Sequence, residues 1–352
     1  MNEALDIIHR KGFKVAVTVR PFVSTFSKTY KEGLEVAVTG YKLREKGAWI
    51  VQPYSEGSPA LTSFNGEHSL AMADLTCTNV SDWMSQRLAQ MVKRYDLDGV
   101  FLESATTDHL PHYYVTHTPM PDPSVLDRLW METVRRTTNV ISVNAASRMP
   151  RLPTFTAVPW LPATWDGLAT LLPLVLTLSM SGYPFLIPPP IGGFVSSASS
   201  NPERELYIRW LQINTFLPVV QFTTLPSVYD NQVESMASNL THLRQSTVLP
   251  LLHRYGGDSV ISGLPIIRPL WMLDPLDKHA IDVLDEFCVG EELLIAPILE
   301  HHKREREVYL PKGVWKDGID GSLRKGGRWI HHHKAKLYQI AYFVRMPDGT
   351  RW

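Results

Sequence analysis

Six short, continuously apolar runs punctuate the sequence up to residue 222: 13–19 (FKVAVTV), 98–103 (DGVFLE), 139–145 (NVISVNA), 155–160 (FTAVPW), 182–188 (GYPFLIP) and 216–222 (FLPVVQF). None alternates polar with apolar residues, so each predicts a strand covered on both faces, as parallel strands are. Between them lie helical segments. In 81–95, Trp83, Met84, Leu88, Met91 and Val92 fall on one face, and 231–249 has similar periodicity. Strands that alternate with helices leave a (β/α) barrel or a doubly wound sheet. Several of the runs carry polar groups at their C-terminal ends, and no glycine-rich phosphate loop follows any of them. Both features favour the barrel and argue against a dinucleotide fold.

After residue 262 the pattern changes to short strands, 264–271, 292–299, 306–311 and 339–346, separated by charged, turn-rich pieces. That predicts a small all-β sandwich. The expected division is a (β/α) barrel region over 1–262 and a β-sandwich over 263–352. No low-complexity linker separates them, so the two parts are expected to pack together.

Composition excludes several classes. Thirty-five basic residues balance thirty-five acidic ones, so no footprint of a nucleic-acid or anionic-membrane binder is present and neutral partners are expected. Cys77 and Cys288 form neither a disulfide framework nor a metal-ligand pair. The residues from Gly167 to Phe194 carry no charge. Pro173, Gly182, Pro184 and Pro188–Pro190 interrupt the stretch, which reads as a buried helix and strand, not as a membrane span. The first 23 residues have no apolar core of signal-peptide type and read directly as a helix, a stop at Gly12 and a strand.

The blocks GLPIIRPLW, LDEFCVGEELLIAPILE, REVYLPKGVWKDG and IAYFVR resemble the C-terminal β-domain of glycoside hydrolase family 31. NPERELYIRWLQINTFLPVVQF resembles the family's segment around the last barrel strand. Within the family, VTVRPFV, YDLDGVFLE and LLPLVLTLSMSGYPFLIPPPIGG look most like the myogenesis-regulating glycosidase subgroup. The resemblance implies a (β/α)8 TIM-type barrel, here strands 3 to 8, followed by the β-sandwich. It also implies hydrolysis of terminal α-glycosidic bonds, of α-galactosidase or α-glucosidase type, without a cofactor or metal. The partner it implies is a carbohydrate or glycan, and the location for the full-length protein is the secretory lumen or a membrane anchor. Counted against the family, residue 13 opens strand three. An isolated chain without strands one and two is expected to expose sheet edges.

The family's mechanism is retaining, with two carboxyl groups ~5–5.5 Å apart, one a nucleophile and the other an acid/base. Its nucleophile pattern, close to F-K-x-D-x-G-E, falls on VFLESAT, so Glu103 occupies that position with one methylene more, Phe101 replaces the Lys and Thr106 the Glu. The acid/base position falls on Pro159, which holds no proton to donate. Asp166 is the nearest carboxylate, although its place at the start of a helix also suits the helix dipole. Asp108 is a second candidate, with a solvated turn as its alternative. The family's Asp before the Ile-Gly-Gly turn is Pro189 here. Arg20, Arg148, Trp160, Trp165 and Gln221 are expected to line the sugar site, the tryptophans offering apolar platforms or, alternatively, packing beneath the β-domain. Asp74, Asp96 and Asp98 read as structural. The histidines at 301–302 and 331–333 lack zinc-like spacing with a third ligand. Asn79-Val80-Ser81 and Asn239-Leu240-Thr241 are glycosylation acceptor patterns. Three readings stay open: an α-glycosidase using Glu103, a catalytically silent relative that binds glycans or a protein, and a fragment that folds only with its upstream residues.

Overall fold

The computed structural model describes residues 2–38, 46–64, 66–103, 109–138, 141–144, 154–195 and 200–350. The chain divides into two compact units, 1–154 and 155–352.

The first unit runs α1 (Asn2–Arg10), β1 (Ala16–Val19), β2 (Phe22–Ser24), α2 (Lys28–Leu34), β3 (Leu61–Phe64), β4 (Glu67–Met72), α3 (Thr78–Tyr95), β5 (Gly99–Leu102), α4 (Val125–Arg135) and β6 (Ile141–Asn144). β1 pairs in parallel with β5, and β5 in parallel with β6. The apolar runs at 13–19, 98–103 and 139–145 thus contain the barrel strands expected from them. Asp98 clasps the entry of this sheet. Its Oδ2 accepts from the Val15 N–H (2.8 Å) and meets His9 Nε2 (3.0 Å), while Oδ1 meets Lys14 Nζ (2.8 Å). One carboxylate therefore ties α1, β1 and β5 together at the end opposite the strand tips.

Between β1 and α3, strands β2, β4 and β3 form a small antiparallel sheet. Its interior is aromatic. Trp49 is fully buried, stacked on Tyr30 (5.6 Å) and edge-on to Trp83 (6.0 Å). A Cβ on Gly33 would lie 2.3 Å from the Trp49 ring, so α2 can approach it only with glycine there. Asp74 is structural, as expected: it is buried and accepts from the N–H groups of Thr76 (3.3 Å) and His117 (2.7 Å).

The second unit begins with β7 (Phe155–Ala157), α5 (Trp165–Met180), β8 (Leu186–Ile187), α6 (Arg204–Asn214), α7 (Asn231–Leu243) and α8 (Leu249–Ser262), with a π-turn at Arg244–Val248 joining the last two. β7 and β8 are parallel. The uncharged stretch resolves into helix and strand. α5 continues through Pro173, whose side faces solvent, where water can take up the carbonyl left without its N–H partner, and it stops at Gly182 (φ 93°). No helix among the described residues is long and apolar enough to cross a membrane.

One expected strand does not form. Residues 216–222 are irregular, and the carbonyls at the start of the segment serve another partner. The Arg244 guanidinium donates to the carbonyls of Thr215 (2.6 Å), Leu217 (2.7 Å) and Pro218 (2.8 Å). Pro218 has no N–H to offer a ladder.

The remaining elements are β9 (Ile267–Arg268), α9 (Lys278–Asp282), β10 (Phe287–Val289), β11 (Leu293–Ala296), β12 (Glu305–Leu310), β13 (Val314–Asp317), β14 (Leu323–Lys325), β15 (Arg328–Lys334) and β16 (Ala341–Arg345). They make a six-stranded sheet, β14-β13-β16-β11-β10-β9, and the ribbon β12-β15, all antiparallel. Leu294, Ala296, Val308, Leu310, Trp315 and Phe343 fill the core between them. Helix α6 packs onto this part within the unit. Buried Arg209 donates to the Lys303 carbonyl (2.9 Å) and Gln212 Nε2 to that of Leu337 (2.8 Å).

Candidate active site

The register of β1 against β5 brings two of the predicted residues together. Val19 faces Leu102 across the pair, so the next residue on each strand, Arg20 and Glu103, emerges side by side at the C-terminal ends. The Glu103 N–H still donates to the Val19 carbonyl (3.1 Å), which fixes where its side chain starts. Arg20 Nε then donates to Glu103 Oε2 at 2.7 Å. The glutamate side chain is 24% exposed and that of the arginine 35%, so the pair is partly withdrawn from water but open on one side. A charge-assisted bond in such a setting is stronger than its fully solvated equivalent.

Arg20 is itself braced. Its guanidinium carbon lies 4.5 Å from the centroid of the Phe64 ring, a cation–π contact, and Phe64 packs on Phe22 (5.5 Å) and His109 (4.9 Å). Glu67, exposed, stands 3.9 Å from Nη1. Phe64 and His109 were missed in the sequence. The Asn-Gly dipeptide at 65–66, with strand-like residues on both sides, was the signal that could have found the hairpin carrying Phe64 and Glu67. His109 gave none.

Among the described residues Arg20 engages Oε2 of Glu103. The arrangement is chemically that of an oriented carboxylate with one oxygen immobilised by a cation. Asp108 and Arg148 lie outside the described residues.

The second unit, taken by itself, holds another group of predicted residues. The loops after β7 and β8 are stitched together: Phe194 N–H donates to the Leu161 carbonyl (2.7 Å) and Ala163 N–H to that of Phe194 (2.9 Å). Gly193 makes this approach possible, at φ 77° and with a hypothetical Cβ 2.8 Å from the Pro162 carbonyl oxygen. On the stitch stands Trp160, 68% exposed, its ring 5.0 Å from that of Phe194. An indole that exposed is not a core residue. Trp165 is half-buried against His301 at 5.0 Å and is closer to the packing alternative.

Asp166 is exposed in the first turn of α5, whose N-cap Thr164 accepts from the Gly167 N–H (3.0 Å). That is the dipole-favoured position foreseen for it. Pro159, on which the resemblance places the acid/base position, is exposed beside Trp160. Gln221 donates through Nε2 to the Pro188 carbonyl (2.6 Å), so its amide holds the proline turn. Pro189 is buried there and its carbonyl accepts from Asn214 Nδ2 (3.1 Å).

A metal centre finds weak support. Among the described residues Glu205, His301 and His302 bring ligand atoms within 4.8 Å of one another, a grouping the sequence spacing did not reveal. Yet Arg304 donates to both Glu205 oxygens, at 2.5 and 3.2 Å. Burial pushes the Glu205 carboxyl up, and the Arg304 bond and the Arg304 and Arg209 charges outweigh it and hold it below the usual range. A dication would have to share the carboxylate with a guanidinium. His331, His332 and His333 are each paired with a carboxylate, Glu307, Glu305 and Asp317.

Comparison with known proteins bears on the same residues. Residues 160–254 match the TIM-barrel domain of glycosyl hydrolases family 31, and residues 263–347 match the family's C-terminal domain. A myogenesis-regulating glycosidase of Mus musculus is 32% identical over 343 residues, 95% of this chain and 46% of that protein. A SITS-binding protein of Tetronarce californica is 30% identical over 347 residues, 96% of this chain and 48% of its own length. The chain thus spans about half the length of these relatives. A solved family 31 dextranase from Flavobacterium johnsoniae superposes with a TM-score of 0.83 at 22% identity, over 98% of this chain and 44% of its own.

Proposed function

We propose, from the premise that this chain belongs to glycosyl hydrolase family 31, that it hydrolyses terminal α-galactosidic or α-glucosidic bonds with retention, using Glu103 as nucleophile. The observation that carries the reading is the 2.7 Å pair between Arg20 and Glu103 at the C-terminal ends of two parallel barrel strands, the end at which barrel enzymes build their sites. Arg20 immobilises Oε2, and Oε1 attacks the anomeric carbon as the bond to the leaving oxygen breaks. Water then cleaves the resulting glycosyl ester. The longer glutamate is compensated by this clamp, which removes the side-chain freedom that would otherwise blur the attacking position.

Pro159 supplies no proton to the leaving oxygen, and Asp166 is the carboxyl group proposed to serve. Substrates whose leaving group needs little protonation are therefore favoured. The test compares an activated aryl α-galactoside and aryl α-glucoside with the wild type, Glu103→Gln and Asp166→Asn. The reading expects turnover that Glu103→Gln abolishes, and turnover that survives unchanged in that variant refutes it.

A second reading, a relative that binds without cleaving, is favoured by Pro159 and by the widely exposed Trp160. The name of the Tetronarce californica relative describes a binder. Saturable binding of the same aryl glycosides by wild type and Glu103→Gln alike, with no release of the aryl group, would select it.

A further inference from the structure

The second unit holds a cleft that none of the candidate active-site residues lines. It lies between α7 and the strand and loops of the β-sandwich at 318–319 and 338–342, with a volume of about 510 Å³, within the range of small-molecule sites. No residue lining it is charged. One wall is a stripe of side-chain hydrogen-bonding groups on α7. Asn231, Ser235 and Asn239 are all exposed and spaced i, i+4, i+8, so they share a face over about 12 Å of helix. None of the three side chains has a partner among the described residues. The floor is apolar, with buried Met236, Leu240 and Ile340.

The opposite wall carries Tyr338 and Tyr342. The Tyr338 ring is 36% exposed and held in place at its hydroxyl, which accepts from Arg204 Nη2 (2.7 Å) and donates to Gln232 Oε1 (2.6 Å). Arg204 is neutralised by Asp230 at 2.7 Å, so its charge is not offered to the cleft. Gly318 has no Cβ to meet the Tyr342 ring, which a Cβ would approach to 2.2 Å. Free amides and a hydroxyl facing an immobilised aromatic ring, over an apolar floor and without charge, match a ligand with many hydroxyls, apolar C–H faces and no ionic group. Phosphates and carboxylates find no cation there.

We infer that this cleft is a second, non-catalytic binding site for a neutral oligosaccharide, independent of any chemistry at Glu103. It is tested by NMR on protein made in bacteria, so that Asn239, within an acceptor triplet, carries no glycan. The side-chain amide resonances of Asn231 and Asn239 are followed while maltotriose, isomaltotriose or cellotriose is added, with a sulfated trisaccharide as the charged comparison. Saturating shifts with at least one neutral trisaccharide are expected, weakened at least tenfold by Ser235→Trp, which fills the cleft from the exposed helix face. Asn239→Ala is expected to weaken binding severalfold, read at Asn231, and Glu103→Gln to leave it unchanged. Absence of shifts with all three neutral sugars, shifts with the sulfated one alone, or shifts indifferent to Ser235→Trp would overturn the inference.

Discussion

At the scale of single residues the account rests on Glu103 and Arg20. They are 83 positions apart in the chain and adjacent in space only because parallel pairing sets Val19 against Leu102. Sequence reasoning had both residues at strand ends and had Arg20 as a sugar ligand, but it had no access to the register and therefore none to the pair. If the clamp orients the nucleophile, Arg20→Met should lower kcat/KM for an activated aryl glycoside by on the order of ten- to a hundredfold. Thermal stability should change little, because an isolated, partly exposed pair contributes about 1 kcal/mol or less. Glu286 gives a prediction independent of activity. It is fully buried, accepts from the Tyr309 N–H (2.9 Å) and lies 3.4 Å from the Arg306 guanidinium. Burial pushes its carboxyl up to about 8, against the opposing pull of Arg306 and Tyr309, with Asp285 adding to the rise. The folded protein then keeps a proton that the unfolded chain loses above about 4.5. Stability from this group is complete below that pH and declines as pH rises toward 8. Melting temperatures measured across that interval should fall less steeply in Glu286→Gln than in wild type.

At the scale of elements, the barrel strands were legible because a strand covered on both faces leaves a continuous apolar run, which 98–103 and 139–145 display. The run at 216–222 has the same appearance but forms no strand: Arg244, on a π-turn distant in sequence, takes the carbonyls of Leu217 and Pro218. Apolar content reports burial, whereas strand formation also needs free backbone groups. Asp98 shows the converse, since a residue read simply as structural joins three elements. Its bonds to Lys14, the Val15 N–H and His9 hold its carboxyl down at about 2. Its contribution is present above the usual aspartate range, near 3.8, and is lost as pH falls toward 2. In Asp98→Ala, amide hydrogen exchange should accelerate across α1 at neutral pH while α3 and α4 remain protected. Equal acceleration in all three helices would mean that Asp98 supports the whole unit, not one attachment.

At the scale of the whole molecule, the chain pairs family 31 barrel architecture with the family's C-terminal β-domain. The change of sequence pattern after residue 262 announced that domain, yet only about half of its strands could be read. β13, β14 and β15 carry charged residues on both faces, as in RWIHHHK, and short antiparallel strands with exposed edges leave little hydrophobic signature. The three histidines at 331–333 are one expression of this, each paired with a carboxylate. The central claim concerns the chemistry proposed for Glu103. It is tested most directly by incubating the protein with 5-fluoro-α-galactosyl and 5-fluoro-α-glucosyl fluorides, whose fluoride leaves without protonation, and mapping any covalent adduct by peptide mass spectrometry. The account predicts a single glycosyl ester on the peptide containing Glu103, absent from Glu103→Gln. A folded protein that forms no adduct with either sugar, or forms it on another carboxylate, would contradict it.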